Sequence, residues 1–109
     1  MNRVVITGLG IVSSIGNNAK EVLGSLQTGK SGITSNANMI EYGFRSQVAG
    51  DVKLDVKDFV DKRTLRFMGP GAAYAHIAME QAIKDAGLEE SEISNFRTGL
   101  IAGSGGPST

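Results

Sequence analysis

Residues 75 to 88 carry the chain's longest regular pattern: Ala75, Ala78, Met79, Ala82, Ile83 and Ala86 fall at i, i+3, i+4, i+7, i+8 and i+11, with Gly87 and Leu88 following. Side chains spaced this way line one face of an α-helix. Gly87 supplies a residue that leaves the helix in the left-handed conformation without a Cβ penalty, and Leu88 the apolar contact that accompanies such a stop. A face made so largely of alanine holds no bulk of its own, so it predicts close packing against a neighbour.

The rest of the chain is read around that helix. Val4, Val5 and Ile6 form a β-branched run without a polar face, bounded by Gly8 and Gly10, which predicts a strand over residues 3–8 buried on both sides in a parallel sheet. Residues 9–17 mix glycine and serine with apolar residues and read as a packed loop at the strand's carboxyl end. Asn18 followed by Glu21 marks a helix start, Ala19, Val22, Leu23 and Leu26 repeat at helical spacing, and Gly29 ends the helix, giving residues 19–28. Residues 30–43 show no sustained period and read as a surface connection. Val48, Val52, Leu54 and Val56 then alternate with Asp51, Lys53, Asp55 and Lys57, as in an extended, half-exposed segment. A last apolar run over 98–102 ends in Gly103-Ser104-Gly105-Gly106-Pro107, a turn of the kind found where a sheet edge meets its ligand. Strand, helix, extended segment, long helix and strand, in that order, indicate an α/β sheet, not a bundle.

With 109 residues, 40% of them hydrophobic, the chain has the size of one ordinary domain. Eleven basic and eleven acidic residues cancel, so no global field draws nucleic acid or an anionic membrane, and a charged partner must be met locally. The opening apolar run is too short for a signal peptide or membrane span, which gives a cytoplasmic expectation. Absence of cysteine excludes a disulfide framework, a thiolate metal site and a thiol nucleophile within these residues.

Three motifs invite a functional reading and lose it on context. Gly24 to Ser31 reads G-S-L-Q-T-G-K-S, which satisfies the phosphate-loop pattern by letter. A phosphate loop has a strand before its first glycine and a helix after its lysine, whereas here the helix comes first and Gly29 terminates it. A nucleotide-binding protein would require affinity lost on Lys30→Ala. Gly8-Leu9-Gly10 follows a strand-like run, but no helical pattern starts at Gly10 and no acidic residue stands where a ribose would need it, so close backbone packing is the expected use of these glycines. His76, the single histidine, has no second histidine or cysteine to share a metal and reads as a partly buried structural residue. Glu89, Glu90, Ser91 and Glu92 read as a solvated turn.

The cluster Asp61-Lys62-Arg63-Thr64-Leu65-Arg66 places three cations at spacings of three and four, which gather on one side if the segment is helical. Two readings stay open on the residues alone: an ordinary solvated helix face, or a local grip on an acidic partner or a phosphate.

Arg3 to Asn18, RVVITGLGIVSSIGNN, resembles the N-terminus of β-ketoacyl-acyl-carrier-protein synthases, and among these the type I enzymes of bacterial fatty-acid synthesis. The resemblance continues through Gly29 to Ile33, Arg45-Ser46, the 61–68 segment, Met79 to Ile83, Asp85 to Leu88 and 98–106. It covers the whole chain and is far more specific than any short motif above.

This resemblance implies a thiolase-like layered α/β/α fold, of which residues 1–109 are the N-terminal portion of the N-terminal domain with no second domain, and a homodimer in the complete enzyme. It implies transfer of an acyl chain to an enzyme cysteine and its condensation with the carbanion left by decarboxylation of malonyl on acyl carrier protein. The family's cysteine, two histidines and lysine match no position here, so no catalytic residue is expected within this chain and the chain alone is expected to be inactive. The alternative is a non-catalytic module that binds acyl carrier protein. No metal and no organic cofactor is called for.

Two features match functional parts of the family. Lys62, Arg63 and Arg66 fall where type I enzymes present a basic patch to acyl carrier protein, which favours the grip over the solvated face. Gly105, Gly106 and Pro107 resemble the loop bordering the acyl pocket, with proline where a small residue is the family pattern; its fixed φ and missing N–H put chain-length preference carried over from the family in doubt.

Overall fold

The computed structural model describes residues 1–105. Gly106 and Pro107 of the expected acyl-pocket loop lie outside the described residues, while Gly105 is an exposed bend. Five α-helices and a two-stranded sheet give an α/β chain among these residues. They divide into two compact units: Ile11–Asp55, and Met1–Gly10 together with the chain from Val56 onward.

Within Ile11–Asp55, helix α1 spans Ala19–Gln27. Asn18 caps it by accepting the Glu21 N–H at 3.0 Å, and Glu21 reaches back to accept the Asn17 N–H at 2.8 Å, so two otherwise orphaned donors are satisfied. Gly29 stands at φ 65°. There the Lys30 N–H reaches the Ser25 carbonyl at 2.8 Å and the Gly29 N–H the Leu26 carbonyl at 3.3 Å, the paired bonds of a Schellman stop. The turn 13–16 is closed by mutual Ser13 and Gly16 backbone bonds and fastened to α1 by the buried Ser25 hydroxyl, which donates to the Ile15 carbonyl at 2.6 Å. A Cβ at Gly16 would lie 2.6 Å from the Val22 nitrogen, so glycine is needed for this close approach.

Residues 30–43 are more ordered than a plain surface connection. They hold strand β1 (Ile33–Ser35) and helix α2 (Ala37–Glu41). Asn36 caps α2 by accepting the Met39 N–H at 3.1 Å, and Gly43, at φ 66°, ends it with the same pair of bonds as Gly29. Strand β2 (Val48–Gly50) pairs antiparallel with β1 in the register Ile33 to Gly50, Thr34 to Ala49 and Ser35 to Val48. The alternation read from 48 onward holds as burial over 52–57, with Val52, Leu54 and Val56 half-buried and Asp51, Lys53, Asp55 and Lys57 exposed. Only its first residues are in a ladder.

In the other unit, a short 3₁₀ turn (Val56–Asp58) leads to α3 (Lys62–Leu65), α4 (Pro70–Ala86) and α5 (Glu90–Ile93). Pro70 opens α4, where its lack of an N–H costs no bond. Gly87 closes it at φ 66°, with the Leu88 N–H on the Ile83 carbonyl and the Gly87 N–H on the Lys84 carbonyl, both at 3.2 Å. The expected stop is thus present. The buried core is Val60, Ala73 and Ile77, one step round α4 from the expected stripe, and Ala75 and Met79 are exposed. Ala78, Ala82 and Ala86 do receive a neighbour, which is the backbone of Gly8 and Gly10: a Cβ at Gly10 would sit 1.7 Å from the Ala78 carbonyl oxygen, and one at Gly8 2.2 Å from that of Ala82. Close packing is therefore what these two glycines serve. The Leu9 N–H, between them, donates to Asp85 at 3.0 Å.

Residues 3–8 and 98–102 are not strands here. Neither run pairs with another segment among the described residues, and Val4, Ile6, Leu100 and Ile101 are exposed. A strand exists only by its ladder, so a β-branched run without a hydrogen-bonding neighbour does not make one.

Candidate functional site

The cationic segment begins where Asp61 accepts the Arg63 N–H at 3.1 Å and caps α3. Arg66 follows with helical backbone angles, φ −61° and ψ −20°. Helical geometry from 62 to 66 brings Lys62, Arg63 and Arg66 within an arc of about 100°. Val60 is buried and Leu65 and Met68 are half-buried, while the three cations are exposed. Among the described residues none of the three is in an ion pair; the one acid within the turn, Asp61, is engaged by the backbone. Phe59 and Phe67, 53% and 89% exposed, stand on either side of the turn in sequence. The cations were legible from spacing; the bracketing phenylalanines carry no periodic signal that marks them as exposed.

The phosphate-loop string has the opposite layout from a phosphate loop. Gly24 lies inside α1 and Gly29 beyond its end, so no helix N-terminus faces Lys30. His76 is half-buried, with Nε2 3.3 Å from Glu80 one turn on. Glu90 to Ile93 form a short helix instead of a bare turn, its N-terminal N–H at Glu89 accepted by Glu92 at 2.9 Å. Among the described residues no group of three His, Asp or Glu side chains converges as a metal site, and no helix is long and apolar enough to cross a membrane.

Comparison with known proteins follows the same lines. Residues 1–109 match the family described as beta-ketoacyl synthase, N-terminal domain. The chain is 57% identical over 109 residues to 3-oxoacyl-[acyl-carrier-protein] synthase 1 of Escherichia coli (strain K12), covering 99% of this chain and 27% of that protein. It is 54% identical over 105 residues to the synthase 1 of Haemophilus influenzae, covering 96% and 26%. Against 3-oxoacyl-[acyl-carrier-protein] synthase 2 of Staphylococcus aureus (strain COL) the identity is 36%, covering 94% and 25%. The chain thus spans about a quarter of the length of these relatives. Among solved structures, the ishigamide ketosynthase/chain length factor superposes with a TM-score of 0.71 at 32% identity over 81% of this chain and 22% of that one. The helices and small sheet are the N-terminal part of a thiolase-like α/β fold. On a family match that runs from the first residue to the last, the chain belongs to the beta-ketoacyl synthase family as its N-terminal domain portion.

Proposed function

We propose that this chain is the N-terminal part of a 3-oxoacyl-[acyl-carrier-protein] synthase acting in fatty-acid elongation, and that its own contribution is to grip the carrier protein. The observation that carries the second half is the unpaired cationic turn: Lys62, Arg63 and Arg66 are exposed, share one side, and lack an ion-pair partner among the described residues. Arginine and exposed aromatics are the residue types that protein interfaces favour, and Phe59 and Phe67 supply the aromatics. An acidic helix of acyl carrier protein fits such a surface by charge, with guanidinium forks fixing orientation.

The condensation belongs to the complete enzyme. An acyl chain moves from its carrier thioester to a cysteine thiolate; malonyl on the carrier loses CO2, and the resulting carbanion attacks the acyl-enzyme, releasing the cysteine. This chain has no cysteine, so that step is assigned to residues of the enzyme other than these. A homodimer in the cytoplasm, no cofactor, and a role for Gly105 to Pro107 at the acyl pocket complete the reading.

Charge reversal tests it. In the complete enzyme, Arg63→Glu with Arg66→Glu should raise KM for carrier-bound substrate about tenfold or more, the equivalent of about 1.4 kcal/mol, and spare a short carrier-free thioester. Equal loss with both substrates would show that the turn supports the fold instead of the carrier.

A further inference from the structure

Within Ile11–Asp55 a cavity of about 360 Å³ opens between the 13–16 turn, the second half of α1 and residues 30–32, with Lys53 on its rim. Gly24, Ser25, Thr28, Lys30 and Ser31 of the G-S-L-Q-T-G-K-S string line it, although the string is not folded as a phosphate loop. Its polar side chains divide into committed and uncommitted groups. Ser13 donates to the Gly16 carbonyl and accepts the Ile15 N–H. Ser25 donates to the Ile15 carbonyl and Thr28 to the Gly24 carbonyl. Glu21 is engaged by the Asn17 N–H and the Asn18 amide at the start of α1.

The Asn17 amide donates to the Lys53 carbonyl at 3.0 Å, and the side chains left over, Ser14, Ser31, Lys30 and Lys53, are donors. Ser14 is half-buried, and no hydrogen bond engages its hydroxyl among the described residues; it is pressed against Gly32 and Gly50, where any Cβ would crowd it. The Ser31 oxygen accepts the Ile33 N–H at 3.1 Å and its proton is uncommitted. Lys30 and Lys53 are exposed at the rim and in no ion pair among the described residues. Lys30, Lys53, Ser14 and Ser31 thus bring two ammonium groups and two hydroxyl protons to the lining of a pocket whose one carboxylate, Glu21, already holds two donors, and a ligand rich in acceptors and negative charge matches that surplus.

We propose that this pocket binds a phosphoryl group, held by the Lys30 and Lys53 ammonium groups and the Ser14 and Ser31 hydroxyls. Lysine acts on phosphate as a point charge, without the bidentate fork that arginine brings to phosphate and carboxylate alike. The site works through side chains, unlike a phosphate loop, and it does not depend on the carrier-binding reading.

The test is titration calorimetry of the complete polypeptide at low ionic strength with inorganic phosphate, and separately with an alkyl phosphate monoester, against chloride as control. Saturable phosphate binding is expected, weakened about tenfold or more by Lys30→Ala with Lys53→Ala and severalfold by Ser14→Ala, and unmoved by Lys84→Ala with Arg97→Ala. Tighter binding of the monoester assigns the site to an organic phosphate; equal binding assigns it to the free ion. Lys30→Gln with Lys53→Gln, checked for native circular dichroism, separates loss of charge from loss of fold. No saturable binding, lysine variants that bind as wild type, or equal loss in the Lys84 and Arg97 variant would each overturn the proposal.

Discussion

The two compact units use the same local devices and differ in how far their extended segments are paired: the strand ladder is in Ile11–Asp55, while the buried apolar residues Val60, Ala73 and Ile77 are in the other unit. In Ile11–Asp55, caps at Asn18 and Asn36, stops at Gly29 and Gly43, an antiparallel strand pair and the Ser25 bond to the 13–16 turn satisfy helix ends, strands and turn within the unit. In the other unit α4 stops as cleanly at Gly87, without a side-chain cap at Gly69, and the Gly8 to Gly10 backbone lies on its flank; Val4, Ile6, Leu100 and Ile101 there are exposed and outside any ladder, whereas the first unit's exposed Ile33 and Val48 stand in one. Local rules finish what is local. Extended segments wait for a ladder, and β-branched runs exposed in this way are edges that protein chains ordinarily pair or cover.

Substitution of glycine breaks this comparison most sharply. Gly10→Ala drives a methyl into the Ala78 carbonyl, and overpacking against backbone should cost at least about 3 kcal/mol, read as a lower denaturation midpoint; a neutral result would mean that the opening segment does not lie on α4. Ser25→Ala should cost about 1–2 kcal/mol, because it leaves the Ile15 carbonyl without its buried donor. A change below measurement would detach the 13–16 turn from α1. Gly24→Ala, inside α1 with open space around it, should stabilise by about 0.5–1 kcal/mol. Destabilisation there would mean that the surroundings of α1 are more crowded than they stand.

Legibility in the sequence follows the same division. The stops at Gly29 and Gly87 and the cap at Asn18 were readable because each needs only residues within a turn of itself. Helix α2 was within reach by the same means, since Asn36 and Gly43 bracket it, but five residues are too few to show a period. The strands over 3–8 and 98–102 were read from residue type, and type cannot supply a partner. The alanine face of α4 was legible as a surface of close approach, and Ala78, Ala82 and Ala86 receive the Gly8 to Gly10 backbone, but a stripe of small residues did not mark Ala73 and Ile77, one step round, as the positions buried outright. Lys62, Arg63 and Arg66 were legible as a cluster, and their exposure was not. Lys30 and Lys53 are brought to one pocket by the strand pair, a relation that no spacing along the chain encodes.

The most direct measurement is CO2 release from malonyl carried on acyl carrier protein, in the presence of an acyl-carrier primer, for the complete polypeptide and for residues 1–109 alone. A condensing enzyme predicts CO2 equimolar with 3-oxoacyl product from the complete polypeptide and none from the isolated chain. No release from the complete polypeptide would contradict the condensing role, and release by residues 1–109 alone would contradict the assignment of the chemistry to residues other than these.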